Sequence, residues 1–230
     1  MNWDLIWDNA PMYAQGLLET LWLMCASVAI SFAIAVPLSI ARASHQRWIA
    51  WPVAGYTLVM RGTPLLVQLF IVYYGFAQFD WMRESFVWPW FSNASFCAIL
   101  AFVLNTTAYS TEIFAGAIRT VPRGEVEAAL SVGMSRPLLM RRIVLPSMLR
   151  ASISQYGNEV IMMLQATSVA STVTLLDLTG VARYVSMNYY ISFEPYVTAG
   201  ALYLALTLLL TRLFRFAEAR WLRHLAPRAH

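Results

Sequence analysis

Lysine is absent from this chain of 230 residues: all sixteen of its basic residues are arginine. A phosphate loop needs a lysine to reach the β- and γ-phosphates, so the chain does not itself hydrolyse ATP in that way. Schiff-base chemistry on lysine is excluded with it. Charge of either sign is scarce. Charged residues make up 12% of the chain and hydrophobic ones 59%, with a mean hydropathy of +0.57. Soluble domains carry about 25% charged residues, so a water-soluble globule is excluded and an integral membrane protein is indicated. Cysteine and histidine are also rare. Cys25 and Cys97 lie in apolar runs and read as small buried hydrophobes. His45, His224 and His230 have no metal-ligand spacing, so no metal site is expected. The net charge of +4 is modest and points to no nucleic-acid partner. Asn93-Ala94-Ser95 and Asn105-Thr106-Thr107 fit the glycosylation pattern, but three residues match by chance, and Asn105 sits in an apolar run.

What is present is a set of long uncharged runs. Five stand out, at 20–41, 62–79, 85–111, 160–176 and 195–211. A spanning helix needs about 17–25 apolar residues, so the expectation is an all-α integral membrane protein with five transmembrane helices. With their flanks the spans fall at about 17–41, 51–79, 92–117, 151–176 and 195–216, in one domain covering 1–230. Residues 48–60 form a further uncharged run, too short to cross alone, and suit an interfacial lead-in or the first half of a broken helix. The first run is not a cleaved signal, because Asp4, Asp8 and Glu19 precede it without any arginine. Arginine placement sets the orientation. Arg42 and Arg47, the six arginines from Arg119 to Arg150, and the five from Arg212 to Arg228 all fall on one side; only Arg83 and Arg183 fall on the other. The positive-inside rule then places the N-terminus outside and the C-terminus in the cytoplasm, as an odd number of spans requires.

Between the third and fourth spans, residues 120–150 are too polar to cross. Pro122, then the carboxylates Glu125 and Glu127, then Gly133 spell the start, first turn and end of a short helix. Ser135-Arg136-Pro137 restarts a helix with Ser135 as N-cap, and Leu145-Pro146 is expected to stop it. Two readings stand: a loop lying on anionic headgroups, or a docking element for a cytoplasmic partner.

A resemblance bears on that choice. Glu127-Ala128-Ala129, then Gly133, then nine residues, then Ile143-Val144-Leu145-Pro146, resemble the "EAA" loop of ABC-importer permeases at every fixed position. Arg61-Gly62-Thr63-Pro64-Leu65-Leu66-Val67-Gln68, the stretch from Thr111 to Ile118, and Asn158-Glu159-Val160-Ile161-Met162-Met163-Leu164 are similar to the polar amino-acid branch. Ala217-Glu218-Ala219-Arg220-Trp221-Leu222 resembles the histidine/lysine/arginine/ornithine and opine permeases, particularly their M-type subunit. The resemblance runs from about Gly16 to Pro227. It implies a type I ABC-importer permease fold, with Glu127, Ala128, Ala129, Gly133, Ile143, Leu145 and Pro146 as the coupling contact. It also implies partners: a dimer of ATP-binding subunits carrying ATP and Mg, a second homologous permease subunit, a periplasmic substrate-binding protein and the bacterial inner membrane. This chain would hold no cofactor and no catalytic residue. Many relatives carry Lys-Asp-Thr-Ser where this chain has Gln165-Ala166-Thr167-Ser168, so a role for that lysine has no residue here.

Polar groups within spans are costly and mark a pathway. Asn105, Tyr109 and Glu112, with Gly116, share one face of the third span; Gln155, Asn158, Gln165 and Thr172 share a face of the fourth, with Glu159 at its edge. The expectation is that both faces look inward. For Glu112 and Glu159 a structural hydrogen bond competes with a substrate role, and Asp177 is either solvated or attracts a cation. At Arg61-Gly62-Thr63-Pro64, Thr63 is read as N-cap and Pro64 as the first helical residue. A break there could aim a helix start and a guanidinium at an anionic group; otherwise Arg61 snorkels to headgroups. Gln68 completes the candidate pathway. The implied function is import of polar, basic amino acids; the competing classes are a self-sufficient secondary transporter or channel, for which no inverted repeat is evident, and a structural membrane subunit.

Overall fold

The computed structural model describes residues 3–221, and the regular structure among them is wholly helical. In chain order the helices are α1 (Trp3–Asp8), α2 (Ala10–Arg42), α3 (Arg47–Gly62), α4 (Leu65–Phe70), α5 (Asp80–Arg83), α6 (Trp88–Phe91) and α7 (Ala94–Arg119). They continue as α8 (Arg123–Ser131), α9 (Arg136–Leu139), α10 (Leu145–Ala166), α11 (Leu178–Tyr189) and α12 (Phe193–Trp221). Three of them, α2, α7 and α12, are each long and apolar enough to cross a bilayer. Two bent pairs pass the same test together: α3 with the run from Leu65 to Gln78, bent by 101°, and the run from Arg136 to Val173 with α11, bent by 44°. The count reaches five when each bent pair is one span. Leu222, Arg223, His224, Pro227, Arg228 and His230 lie outside the described residues.

Helix α7 is the centre. Its Phe102 and Phe114 are fully buried and α2 lies along it; on α2, Ser27, Ser31, Ala35 and Ser39, spaced four apart, are all sealed from solvent. Small side chains at that spacing let two backbones approach, which in lipid replaces hydrophobic driving force with close van der Waals contact. Ser31 Oγ donates across the seam to Val103 O at 3.2 Å. On the far side, Gly157 admits the Phe214 ring of α12, whose carbons would stand 2.8 Å from an added Cβ. Otherwise α12 is barely covered, with Leu204, Leu208, Leu213 and Phe216 exposed.

Three local expectations change. The helix does not stop at Leu145-Pro146; it runs on from α9 through a π-helical turn (Met140–Val144) into α10 with Pro146 in its first turn. The change of hydrogen-bond register falls where proline lacks its donor, so the chain continues without a break. Ser135 occupies the N-cap position of α9, but its hydroxyl makes no capping bond. Cys97 is buried, with Sγ facing Phe91 O at 3.2 Å, whereas Cys25 is exposed, on a face of α2 turned away from the bundle.

Candidate functional site

The break between α3 and α4 is a chemical problem before it is a site. The last carbonyls of a helix lack partners, and Pro64 has no N–H to offer them. At membrane depth an unsatisfied carbonyl costs several kcal/mol. Side chains supply the donors. Gln68 Nε2 donates to Met60 O at 2.7 Å, to Thr63 O at 3.1 Å and to Thr63 Oγ1 at 2.7 Å. From α7, Asn105 Nδ2 donates to Met60 O at 3.1 Å and to Gln68 Oε1 at 3.2 Å, and Tyr109 O–H donates to Arg61 O at 3.4 Å. Thr63 is therefore no N-cap. Its hydroxyl turns back to Val59 O at 2.9 Å, and Pro64 holds the cap position with Leu65 as the first helical residue. Gln68, 8% exposed and bonded through both ends of its amide, ties the break together and is not free for a ligand.

Arg61 itself stays exposed. Its guanidinium carbon stands 5.2 Å from the centroid of the Tyr109 ring, within cation–π range. A cleft of about 480 Å³ opens beside it, lined by Arg42, Ala54, Thr57, Leu58, Arg61, Gly62 and Glu112. At its floor Glu112 Oε1 accepts from Arg42 Nε and from Thr57 Oγ1, both at 2.7 Å, which joins α2, α3 and α7. Glu112 thus has a structural engagement within the cleft wall.

Glu159 differs. It is 7% exposed, and among the described residues none donates a hydrogen bond to it, while the Arg61 guanidinium lies within electrostatic reach of both Glu159 and Glu112. Around it, the α10 face bearing Gln155, Asn158 and Gln165 is exposed. The α7 polar face does look inward, but the α10 face does not. It points outward, and no other element among the described residues covers it.

Asp177 is neither solvated nor open. It is fully buried as the N-cap of α11, accepting from Gly180 N at 3.1 Å and Thr179 N at 3.2 Å, and Tyr203 O–H donates to it at 3.0 Å. In the loop after α7, Pro122 caps α8 and Gly133 ends it at φ +82°. Glu127, Ala128 and Gly133 are exposed on its outer side, while Ala129 is buried with Leu139 and Val144 against Ile118, Val126 and Ile143. Leu145 and Pro146 are half-buried at the foot of α10.

With this geometry in place, comparison with known proteins adds a family. The model of the binding-protein-dependent transport system inner membrane component matches residues 28–223. The chain belongs to that family. It is a permease, a transport component rather than an enzyme, whose relatives work with a separate ATPase. The histidine/lysine/arginine/ornithine transport system permease protein HisM of Escherichia coli K12 is 42% identical over 97% of this chain and 94% of its own length. The octopine transport system permease protein OccM of Rhizobium meliloti is 40% identical over 93% of this chain and 87% of its own. Among solved structures, an amino acid ABC transporter crystallised with histidines has 31% identity and a TM-score of 0.81, covering 94% of this chain and 96% of that one. An inward-facing MetNI methionine ABC transporter, 18% identical, matches the permease fold with a TM-score of 0.75 over 94% of this chain and 97% of that one.

Within the permease, Arg61, Thr63, Gln68 and Glu112 come together around one break and one cleft, whereas Asp177 is held apart in its cap. Asn105 and Tyr109 were visible in the sequence through their spacing with Glu112, but nothing there tied them to the break. Arg42 was legible only as a charge that sets orientation and Thr57 not at all; nothing tied either to Glu112.

Proposed function

We propose that this permease imports polar, basic amino acids or related opines across the bacterial inner membrane, driven by ATP hydrolysed, with Mg, on a separate dimer of ATP-binding subunits. The observation that supports it best is the pairing of poles: an exposed guanidinium at Arg61 within electrostatic reach of Glu159, a buried carboxylate to which none of the described residues donates a hydrogen bond. A zwitterion with a cationic side chain needs an anion-binding group and a carboxylate, and a guanidinium offers a carboxylate two parallel hydrogen bonds. Asn158 and Gln165 lie on the exposed face of α10, the helix that carries Glu159. Relatives named for histidine, lysine, arginine, ornithine and octopine agree with that chemistry.

In this reading the chain forms five spans, with the N-terminus outside and the loop at 120–150 in the cytoplasm. Glu127, Ala128, Ala129, Gly133, Ile143, Leu145 and Pro146 shape the contact with the ATPase. The exposed polar stripe of α10 faces a second, homologous permease subunit across the pathway, since a polar face at membrane depth needs protein or water to cover it. A periplasmic substrate-binding protein delivers the amino acid. The test is uptake and ATPase stimulation by the reconstituted assembly against a panel of amino acids. Cationic and opine substrates should stimulate both; stimulation by neutral apolar amino acids alone would contradict the assignment.

A further inference from the structure

We infer that Gln68 and Asn105 are positioning residues that set Arg61 for the substrate's carboxylate, and that the Tyr109 ring is the seat on which its guanidinium waits. This rests on the reading of Arg61 as a substrate-binding group. An arginine on a helix end has a long, flexible stem, and ordering it on binding costs affinity. Here both ends of that stem are held. At the root, the two amides and the Tyr109 hydroxyl take up Met60 O, Thr63 O and Arg61 O, so the end of α3 cannot shift relative to α7. At the tip, the guanidinium rests over the Tyr109 ring at 5.2 Å, from the same helix that holds the root. Gln68 and Asn105 also bond each other at 3.2 Å, so each fixes the other's amide orientation. Gln68 is engaged at both ends of its amide, so an effect of its loss on transport must pass through the break and Arg61.

Positioning makes a prediction that mere structural support does not. Removing it should raise the half-saturation concentration for uptake while leaving the maximal rate near normal, and the effect should vanish once Arg61 is gone. The experiment is a double-mutant cycle in proteoliposomes with the binding protein saturating, using Gln68→Leu and Arg61→Gln. Gln68→Leu alone should raise half-saturation about fivefold to tenfold, the scale of one unfixed long side chain. In the Arg61→Gln background the same change should add less than about twofold. Asn105→Ala, which leaves the three Gln68 bonds in the break intact, should give a smaller shift with the same non-additivity and serves if Gln68→Leu does not insert. Tyr109→Phe keeps the ring and loses only the 3.4 Å bond to Arg61 O, so it should give a small shift of less than about twofold, whereas Tyr109→Leu should behave like Gln68→Leu. Additive effects of Gln68→Leu and Arg61→Gln, or a fall in maximal rate with unchanged half-saturation, would overturn the positioning role. Wild-type uptake by Arg61→Gln alone would overturn instead the underlying reading of Arg61.

Discussion

The permease bends sharply at two places, and it seals the two bends in opposite ways. Between α3 and α4 the exposed end is a set of carbonyls, and the donors arrive from neutral amides on Gln68 and Asn105. Between the α10 run and α11 the exposed end is a set of amides, and the acceptor is the carboxylate of Asp177. Each bend carries one charged residue, but only the second uses its charge as the seal. Arg61 is left exposed, its carbonyl bonded and its guanidinium resting on the Tyr109 ring. Among the described residues no carboxylate pairs with that guanidinium by a hydrogen bond, whereas Asp177 is fully buried with its carboxylate occupied three times over. A charge at a broken span is thus not in itself a substrate group. It is available only where something neutral closes the break.

The contrast is broken most severely at the second bend. Asp177→Ala removes the acceptor for two backbone amides and strands the Tyr203 hydroxyl in a buried site, which should cost about 2–4 kcal/mol. Thermal unfolding of the purified transporter should show it, with half-saturation of the surviving protein unchanged. Next comes Gly180→Ala. A methyl there would press into the Leu175 carbonyl and stand 3.2 Å from Asp177 Oδ1, so a loss of about 1–3 kcal/mol is expected by the same melt. Asp177→Asn sharpens the comparison, since it keeps one oxygen for the Gly180 amide but replaces the charge and the oxygen that accepts from Thr179 N and Tyr203 O–H with an NH2 donor. It should cost about 1–2 kcal/mol, and a large change in cation selectivity would show that Asp177 belongs to the pathway after all. At the first bend Thr63→Val should be the mildest, below about 1 kcal/mol, because Gln68 keeps two backbone acceptors when the hydroxyl is lost.

Only the first bend is legible in the sequence, where Asp177 stands merely at the outer end of a straight fourth span. Gly62-Thr63-Pro64 after an uncharged run marks a break through backbone chemistry alone, and the 101° bend is there. The uncharged runs likewise located the apolar helices, and Pro122 with Gly133 bracketed α8. What closes a break depends on residues distant in the chain, and that was not legible: Asn105 lies 45 residues beyond Met60, and Tyr203 lies 26 beyond Asp177. Pro146 read as a stop because proline usually is one, and only the π-helical turn before it lets the helix through. Periodicity marked the polar stripe on α10 correctly as a stripe. It could not say which way the stripe points, because direction is decided by neighbours, and among the described residues none covers it.

The measurement that decides most is uptake by Arg61→Gln across a range of substrate concentrations, with the melting temperature of the same preparation. Arg61 is exposed and its backbone is held by other residues, so its loss should leave the melt within about 0.5 kcal/mol of wild type. Half-saturation should rise by about tenfold to a hundredfold, the worth of one charge-assisted hydrogen-bonded contact. A variant that melts early and transports with wild-type half-saturation would make Arg61 part of the seal, and the difference between the two bends would disappear.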